Sequence, residues 1–272
     1  MAGQTRRAEL AGKRIAVCRP PDLAEPLTQL LLPLGATVLA LPLIRIGPPV
    51  DLEPLRAAAT HLERYDWVVV TSAHAARALD SARALDSAPA ARGYTSWPES
   101  VRVAAVGDGT ARALTGLGVP VSLVPAESSG AGLAAALVAF APGGMAGRRV
   151  LFPRSNLAAR DLPDGLRAAG AAVDEVEAYV TRADPERANE LLARIRDHEV
   201  EVVVVPNPST AEALVAAAGR ARDGLDLLAT TRLVSIGATT SGRLAELGRP
   251  ADAQAPRPDA PGILAAIRAV LR

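Results

Sequence analysis

Apolar positions along the chain follow two different periods, one suited to strands and one to helices. The runs at residues 66–70 and 200–205 are nearly continuous in valine, as expected of strands covered on both faces. Shorter runs at 14–18, 37–41, 102–106 and 233–236 also read as strands. Between them, residues 23–34 show an amphipathic helical spacing that stops at Gly35, a residue suited to the left-handed position that ends helices. Residues 73–85 and 210–218 read as helices, and two more begin near Thr110 and Thr240, just after Gly107 and Gly237. Strand and helix alternate, which predicts an α/β protein with parallel sheets flanked by helices.

The pattern occurs twice. At an offset of 135, Arg19 falls on Arg154 (154 − 19 = 135), Leu27 on Leu162, Gly35 on Gly170, Val70 on Val205 and Leu79 on Leu214. Further along the offset is 130, pairing Gly107 with Gly237, Thr110 with Thr240, Leu114 with Leu244 and Gly132 with Gly262. The chain is therefore a tandem duplication. A smaller repeat, Arg-Ala-Leu-Asp-Ser-Ala at 77–82 and again at 83–88, cannot extend one apolar stripe, because six residues rotate a helix by about 600°. It reads as a helix tip fading into loop, continued by a polar connection at 89–100.

Composition narrows the function classes. The 272 residues suffice for two lobes, and 49% apolar residues with 3% aromatics imply cores of Ala, Val and Leu. With 30 basic and 29 acidic residues, no overall field exists to recruit nucleic acid or an anionic membrane, so a polyanionic ligand would need local donors. The longest uncharged stretch, 128–147, is Ala- and Gly-rich with Pro142 inside it and is too weak for a membrane span. A single cysteine, Cys18, and a polar start over residues 1–14 predict a cytoplasmic protein without disulfides, and the absence of an exposed heptad predicts a monomer.

Several chemistries find no support in the sequence. Gly107-Asp-Gly109-Thr-Ala-Arg112 lacks the third glycine of a dinucleotide loop, and no phosphate-loop Gly-Lys-Ser/Thr sequence exists. His61, His74, His198 and Cys18 do not form metal-ligand spacings, and no nucleophile turn of the Gly-x-Ser-x-Gly type is present. No cofactor and no metal are expected. What recurs instead is a set of hydroxyl residues where strands run out into helices: Thr71-Ser72, Thr110, Ser209-Thr210 and Thr239-Thr240. Free backbone N–H groups at such points favour an anion, and a hydroxyl adds a donor. The plainer reading is that each hydroxyl only caps its helix.

At this point the chain resembles a known family. Cys18-Arg19-Pro20, Tyr65-Asp66 followed by Thr71-Ser72, Val106-Gly107 with Thr110, Tyr179-Val-Thr181, Asn207-Pro208-Ser209 and Ile236-Gly237-Ala-Thr239-Thr240 are similar, in order and spacing, to the motifs of uroporphyrinogen-III synthases. The resemblance runs from about residue 13 to 268. It implies two similar lobes, each a parallel sheet flanked by helices, joined by a two-stranded β-ladder at 41–47 and 176–183 with a cleft between them. Residues 1–47 with 176–272 would form one lobe and 48–175 the other, each repeat's first strand-helix-strand unit joining the remainder of the opposite repeat.

The resemblance also implies a substrate, hydroxymethylbilane, a linear tetrapyrrole polycarboxylate that is closed to uroporphyrinogen III with inversion of the last ring and loss of water. A transient hand-over from the enzyme supplying hydroxymethylbilane would follow. Tyr179 is the expected catalytic residue, assisting departure of the hydroxyl. Ser72, Thr110, Ser209, Thr239 and Thr240 are expected to bind carboxylates, and Arg19 and Arg154, equivalent through the repeat, to add charge-assisted bonds. Two departures stand out: Cys18 replaces the family's usual threonine, and Pro206-Asn207 stand where Thr-Ser is common, leaving more of that turn's binding to backbone donors. The alternative is a module of the same fold that binds a ligand and catalyses nothing.

Overall fold

The computed structural model describes residues 9–86, 97–141 and 143–272. The chain divides into two compact units, Met1–Arg45 with Arg182–Arg272, and Ile46–Thr181. The first is built on a five-stranded sheet. Its members are β1 (Arg14–Val17) and β2 (Thr37–Ala40) from the first repeat, with β8 (Val202–Val205), β9 (Arg232–Ser235) and β10 (Ala253–Gln254) from the second. They lie parallel in the order β10-β9-β8-β1-β2.

Strand side chains alternate between the two faces of this sheet. Ile15, Val17, Val202, Val204 and Val234 pack on α1 (Pro21–Leu31) and α11 (Ala260–Leu271), while Ala16, Val203, Val205 and Leu233 pack on α7 (Pro185–Arg196), α8 (Pro208–Arg220), α9 (Asp226–Ala229) and α10 (Ala238–Glu246). All four valines of β8 are fully buried, at about 1.5–3 kcal/mol of apolar burial each. This is why the run at 200–205 shows no period of two.

The second unit mirrors the first. Its sheet has the order β3-β7-β6-β4-β5, where β3 (Ile44–Gly47), β4 (Trp67–Val70) and β5 (Arg102–Ala105) come from the first repeat and β6 (Arg149–Ser155) and β7 (Ala172–Ala183) from the second. Val68, Val70, Val103 and Leu151 face α2 (Glu53–Thr60), α3 (Ala73–Asp86) and α4 (Asp108–Gly116). Trp67, Val69, Val150 and Phe152 face α5 (Gly130–Phe140) and α6 (Asp161–Ala168). A bridge from Ala104 to Leu123 adds a sixth position where the first unit has β10.

Each sheet thus takes strands from both repeats, and the pairing that makes the exchange is clamped the same way twice. In the first unit Glu201 accepts the Arg14 backbone N–H at 2.7 Å and its guanidinium at 3.0 Å. In the second, Asp66 accepts the Arg149 N–H at 2.9 Å and the Arg148 guanidinium at 2.7 Å. The positions are related by the repeat, since 14 + 135 = 149 and 66 + 135 = 201.

Several boundaries differ from the sequence pattern, for local reasons. Helix α1 starts at Pro21, which is tolerated in a first turn, and it passes into a 3₁₀ turn over Leu32–Leu34 before Gly35 takes φ 85°. Helix α8 starts at Pro208 rather than at Thr210, because the Asn207 side chain accepts the Thr210 N–H at 2.8 Å and caps it. Of the segment 41–47, only Ile44–Gly47 is strand; it follows Pro42, which has no N–H to give a ladder. Its neighbour β7 is a twelve-residue strand that also pairs with β6. Helix α3 carries the first hexapeptide copy and continues to Asp86, within the second; the rest of that copy and most of the polar connection lie outside the described residues.

Two tight spots give predictions. A Cβ on Gly262 would lie 2.3 Å from the Arg257 carbonyl oxygen, and one on Gly132 would lie 2.5 Å from that of Glu127. Replacing either glycine with alanine is expected to cost about 1–3 kcal/mol, read as a lower urea midpoint; an unmoved midpoint would mean the preceding turn opens freely. Cys18 is buried in the first sheet's core, and burial pushes its thiol up to about 12. A thiol reagent at pH 8 should leave the native protein unlabelled and label it once denatured.

Candidate active site

In open α/β sheets ligands gather at the carboxyl ends of the strands, and every residue expected to act lies at or just beyond such an end. The first unit carries Arg19 after β1, Ser209 after β8, and Thr239 and Thr240 after β9. The second carries Ser72 after β4 and Thr110 after β5, with Arg154 and Tyr179 in the last parts of β6 and β7. Backbone bonds hold neighbouring turns side by side within each sheet. The Cys18 N–H donates to Val204 at 3.1 Å and the Ile236 N–H to Val205 at 3.2 Å, while in the second sheet the Val106 N–H donates to Val70 at 3.0 Å.

The capping role is unevenly spread. Ser72 is a cap: its hydroxyl accepts the Ala75 N–H at 3.0 Å. Ser209, Thr239, Thr110 and Thr240 are not caps. Helices α4 and α10 begin from Gly107 and Gly237, both with extended backbone and no side chain to accept the first N–H groups. Thr110 and Thr240 follow as the third helical residues, both nearly buried, and their hydroxyls have no partner among the described residues. The amides of Asp108 and Gly109, and of Ala238 and Thr239, likewise have none among the described residues. Each of these helix starts therefore presents two unpaired N–H groups and one threonine hydroxyl, a donor set for a carboxylate.

At the start of α8, Asn207 caps through its side chain, leaving Ser209 half-buried without a capping duty. Beside it, Thr210 Oγ1 is fully buried and unpaired, a cost of about 1–3 kcal/mol that ordinary helices avoid. A backbone change at Gly107 would be felt differently from one at Gly237: a Cβ would meet the Ser128 hydroxyl at 2.8 Å in the first case and nothing in the second.

The two arginines, equivalent in sequence, part company in the structure. The Arg154 guanidinium is ion-paired with Glu175 and also donates to the carbonyls of Ser155 at 3.1 Å and Ala158 at 3.2 Å. Burial alone would raise the Glu175 pKa, but the bonds from Arg167 and Arg154 outweigh it and hold the carboxyl below its ordinary value. Arg154 is thus committed within its own sheet, unlike the free ligand donor the sequence led one to expect. In the first repeat the position equivalent to Glu175 is Ala40 (175 − 135 = 40), so Arg19 has no such carboxylate. Its guanidinium is half-buried in a cavity of about 250 Å³ lined by Val17, Leu27, Val204, Ile236 and Ile263, and burial lowers its pKa. The Asp259 carboxylate on the same wall is taken by the Gly262 N–H at 2.8 Å and by Arg257 at 3.0 Å.

Tyr179 follows a register shift. Arg154 pairs with Glu177, but Ser155 pairs with Tyr179, so Ala178 is an extra residue on β7, and such bulges re-aim the side chains around them. Ala178 and Tyr179 both line a cavity of about 290 Å³. His74 lines the same cavity and touches Tyr179, with ring centroids 5.6 Å apart. Sequence reasoning set His74 aside because it lacked a metal-ligand spacing; its position two residues after the cap Ser72, in the first turn of α3, was the one available sign.

Among the described residues, no cluster of three or more His, Cys, Asp or Glu is placed to hold a metal ion, and no helix is long and apolar enough to cross a membrane. Known proteins share this architecture. A mutant uroporphyrinogen III synthase from the extremely thermophilic bacterium Thermus thermophilus superposes with TM-score 0.66 over 95% of this chain and 98% of its own, at 20% identity. The uroporphyrinogen-III synthetase of Helicobacter pylori does so with TM-score 0.59 over 96% and 100%, at 17% identity. At these identities the likeness concerns the fold. In sequence, the uroporphyrinogen-III synthase of Synechococcus elongatus is 30% identical over 203 residues, 74% of this chain and 73% of its own. A putative uroporphyrinogen-III synthase from Methanothermobacter thermautotrophicus is 30% identical over 237 residues, 86% and 89% of the two chains. The family model described as uroporphyrinogen-III synthase HemD matches residues 25–265, and with that span matched this chain belongs to the uroporphyrinogen-III synthase family.

Proposed function

We propose that this chain closes hydroxymethylbilane to uroporphyrinogen III, and that the observation carrying this reading is the paired, uncapped starts of α4 and α10. Each offers two amides and a threonine hydroxyl to an anion, as a substrate bearing many carboxylates requires. Ser209 and the amides near it, with the cap Ser72 at the corresponding turn of the second unit, add donors of the same kind. Arg19, lacking the counterpart of Glu175, supplies the charge-assisted bond that Arg154 spends on its own sheet.

The chemistry asks for orientation more than for a strong acid or nucleophile. The terminal hydroxyl of the bilane leaves with a proton as water, and the resulting azafulvene cation is attacked by the last pyrrole at its substituted carbon. The spiro intermediate reopens and recloses with that ring inverted. Without guidance the chain closes directly to the type I isomer, so holding the reactant in the one productive geometry is the larger part of catalysis. In this reading Tyr179, beside the bulge in β7, donates its phenol hydrogen bond to the departing hydroxyl. We place the reaction in the cytoplasm and on a monomer. A short-lived hand-over from the enzyme that forms hydroxymethylbilane would limit spontaneous closure.

The test is direct: purified protein is mixed with freshly generated hydroxymethylbilane and the type III and type I products are separated. Type III product above the blank is expected; type I alone at the blank rate would reject the reading in favour of a non-catalytic binding module. Tyr179→Phe should lower kcat on the order of a hundredfold while leaving the circular dichroism unchanged. Arg19→Gln should raise KM by about tenfold or more, as befits a lost charge-assisted bond. Arg154→Gln should lower the melting temperature and leave KM nearly unmoved, because its partner is Glu175.

A further inference from the structure

The cavity beside Tyr179 lies wholly within residues 46–181 and has a consistent chemistry. Its walls are Ile46, Leu52, Leu55, Ala78, Ala82 and Ala178, while Arg56, Ser81, His74 and Tyr179 are its principal polar side chains. No carboxylate lines it among the described residues. The lip is apolar and open to solvent, with Ile46 and Leu52 both exposed. At about 290 Å³ the space falls at the lower end of small-molecule sites, enough for one substituted five-membered ring and far too little for four.

We propose that this cavity seats a single pyrrole ring of the substrate and that His74 accepts the ring's N–H, while Tyr179 lies against the same ring. The inference rests on the reading of the substrate as a linear tetrapyrrole. A pyrrole is a flat apolar ring with one strong donor and no acceptor in its plane, so its seat needs apolar walls and one neutral acceptor. An imidazole supplies that acceptor only when uncharged. Burial, and then the charge of Arg77 on the same helix, lower the His74 pKa and favour the neutral form. Tyr179 on β7, Arg56 on α2 and Ser81 on α3 are the other polar side chains of the cavity wall. The tilted contact, with ring planes 49° apart, makes His74 and Tyr179 adjoining parts of one cavity wall, so a ring seated there meets both. His74 is therefore a binding and positioning group: by fixing one ring against the phenol it sets which carbon the azafulvene can reach.

A monopyrrole carrying acetate and propionate arms tests the seat without any cyclisation. It is titrated into the full-length protein while the imidazole ¹⁵N signals are followed; the protein has only three histidines, and the His74 signals are assigned by their loss in His74→Gln. The expected result is a saturable shift of the His74 signals, an affinity lower by about three- to tenfold in His74→Phe, and near-retention in His74→Gln, whose amide oxygen can still accept. Binding that leaves the His74 signals unmoved, equal affinity in His74→Phe, or no binding at millimolar monopyrrole would overturn the proposal. Should His74→Phe not fold, the wild-type shift and the His74→Gln affinity decide by themselves. Type III product from a protein whose His74 stays silent would remove the seat and keep the catalytic reading. A His74 that binds the monopyrrole in a protein yielding only type I product would keep the seat and remove that reading.

Discussion

Everything in this fold depends on one long-range pairing made twice: a strand of one repeat laid parallel beside a strand of the other. Ile15 pairs with Val202 in the first sheet, and Trp67 with Val150 in the second. Parallel neighbours cannot be joined by a tight turn, so the chain must leave each sheet and come back. The acid–amide clamps, Glu201 on Arg14 and Asp66 on Arg149, sit at the start of each strand pair. A shift of one residue there would turn every buried valine to the opposite face and strand the carboxylate without its amide.

The same constraint places the chemistry. Where strands run parallel they end on the same edge, so the helices that follow β1, β8 and β9 in one sheet, and β4, β5 and β6 in the other, begin there, and helix starts carry unpaired N–H groups. Duplication then supplies each kind of start in two copies. Evolution of the copies has been unequal in an instructive way. The glycine-initiated starts of α4 and α10 are nearly identical, with the threonine hydroxyl free in both. At β4 and β8 the two copies cap alike, through Ser72 and its repeat equivalent Asn207 (72 + 135 = 207), which leaves Ser209, the equivalent of His74, uncommitted. The arginine pair diverged most: one change, Glu175 against Ala40, decides whether the guanidinium is a strut or an available charge.

Electrostatics of the remainder is mostly structural. Many arginine–carboxylate pairs lie on exposed helices and strand ends, where each contributes little in high dielectric. The partly buried pairing of Glu175 with Arg154 and Arg167 is different, because those two arginines overcome a desolvation penalty that acts against the charged carboxyl. It fixes the end of β6 against β7 close to the bulge that carries Tyr179.

The amino-acid sequence by itself determined the class of fold, the duplication and most element positions, because periodicity and helix-stop glycines are local properties: Gly35 and Gly170 both adopt positive φ where the pattern placed them. It also pointed to the hydroxyl residues, since a strand-turn-helix junction is readable from a few consecutive residues. It could not say which hydroxyls cap and which are free, because that turns on whether a neighbour such as Asn207 reaches the amide first. Nor could it separate Arg19 from Arg154, whose fates depend on a partner strand, or find the contact of His74 on α3 with Tyr179, which lies beside an extra residue in β7. Those decisions belong to tertiary structure, where contact between residues far apart in the chain, and not their own identity, sets what each side chain has left to offer a ligand.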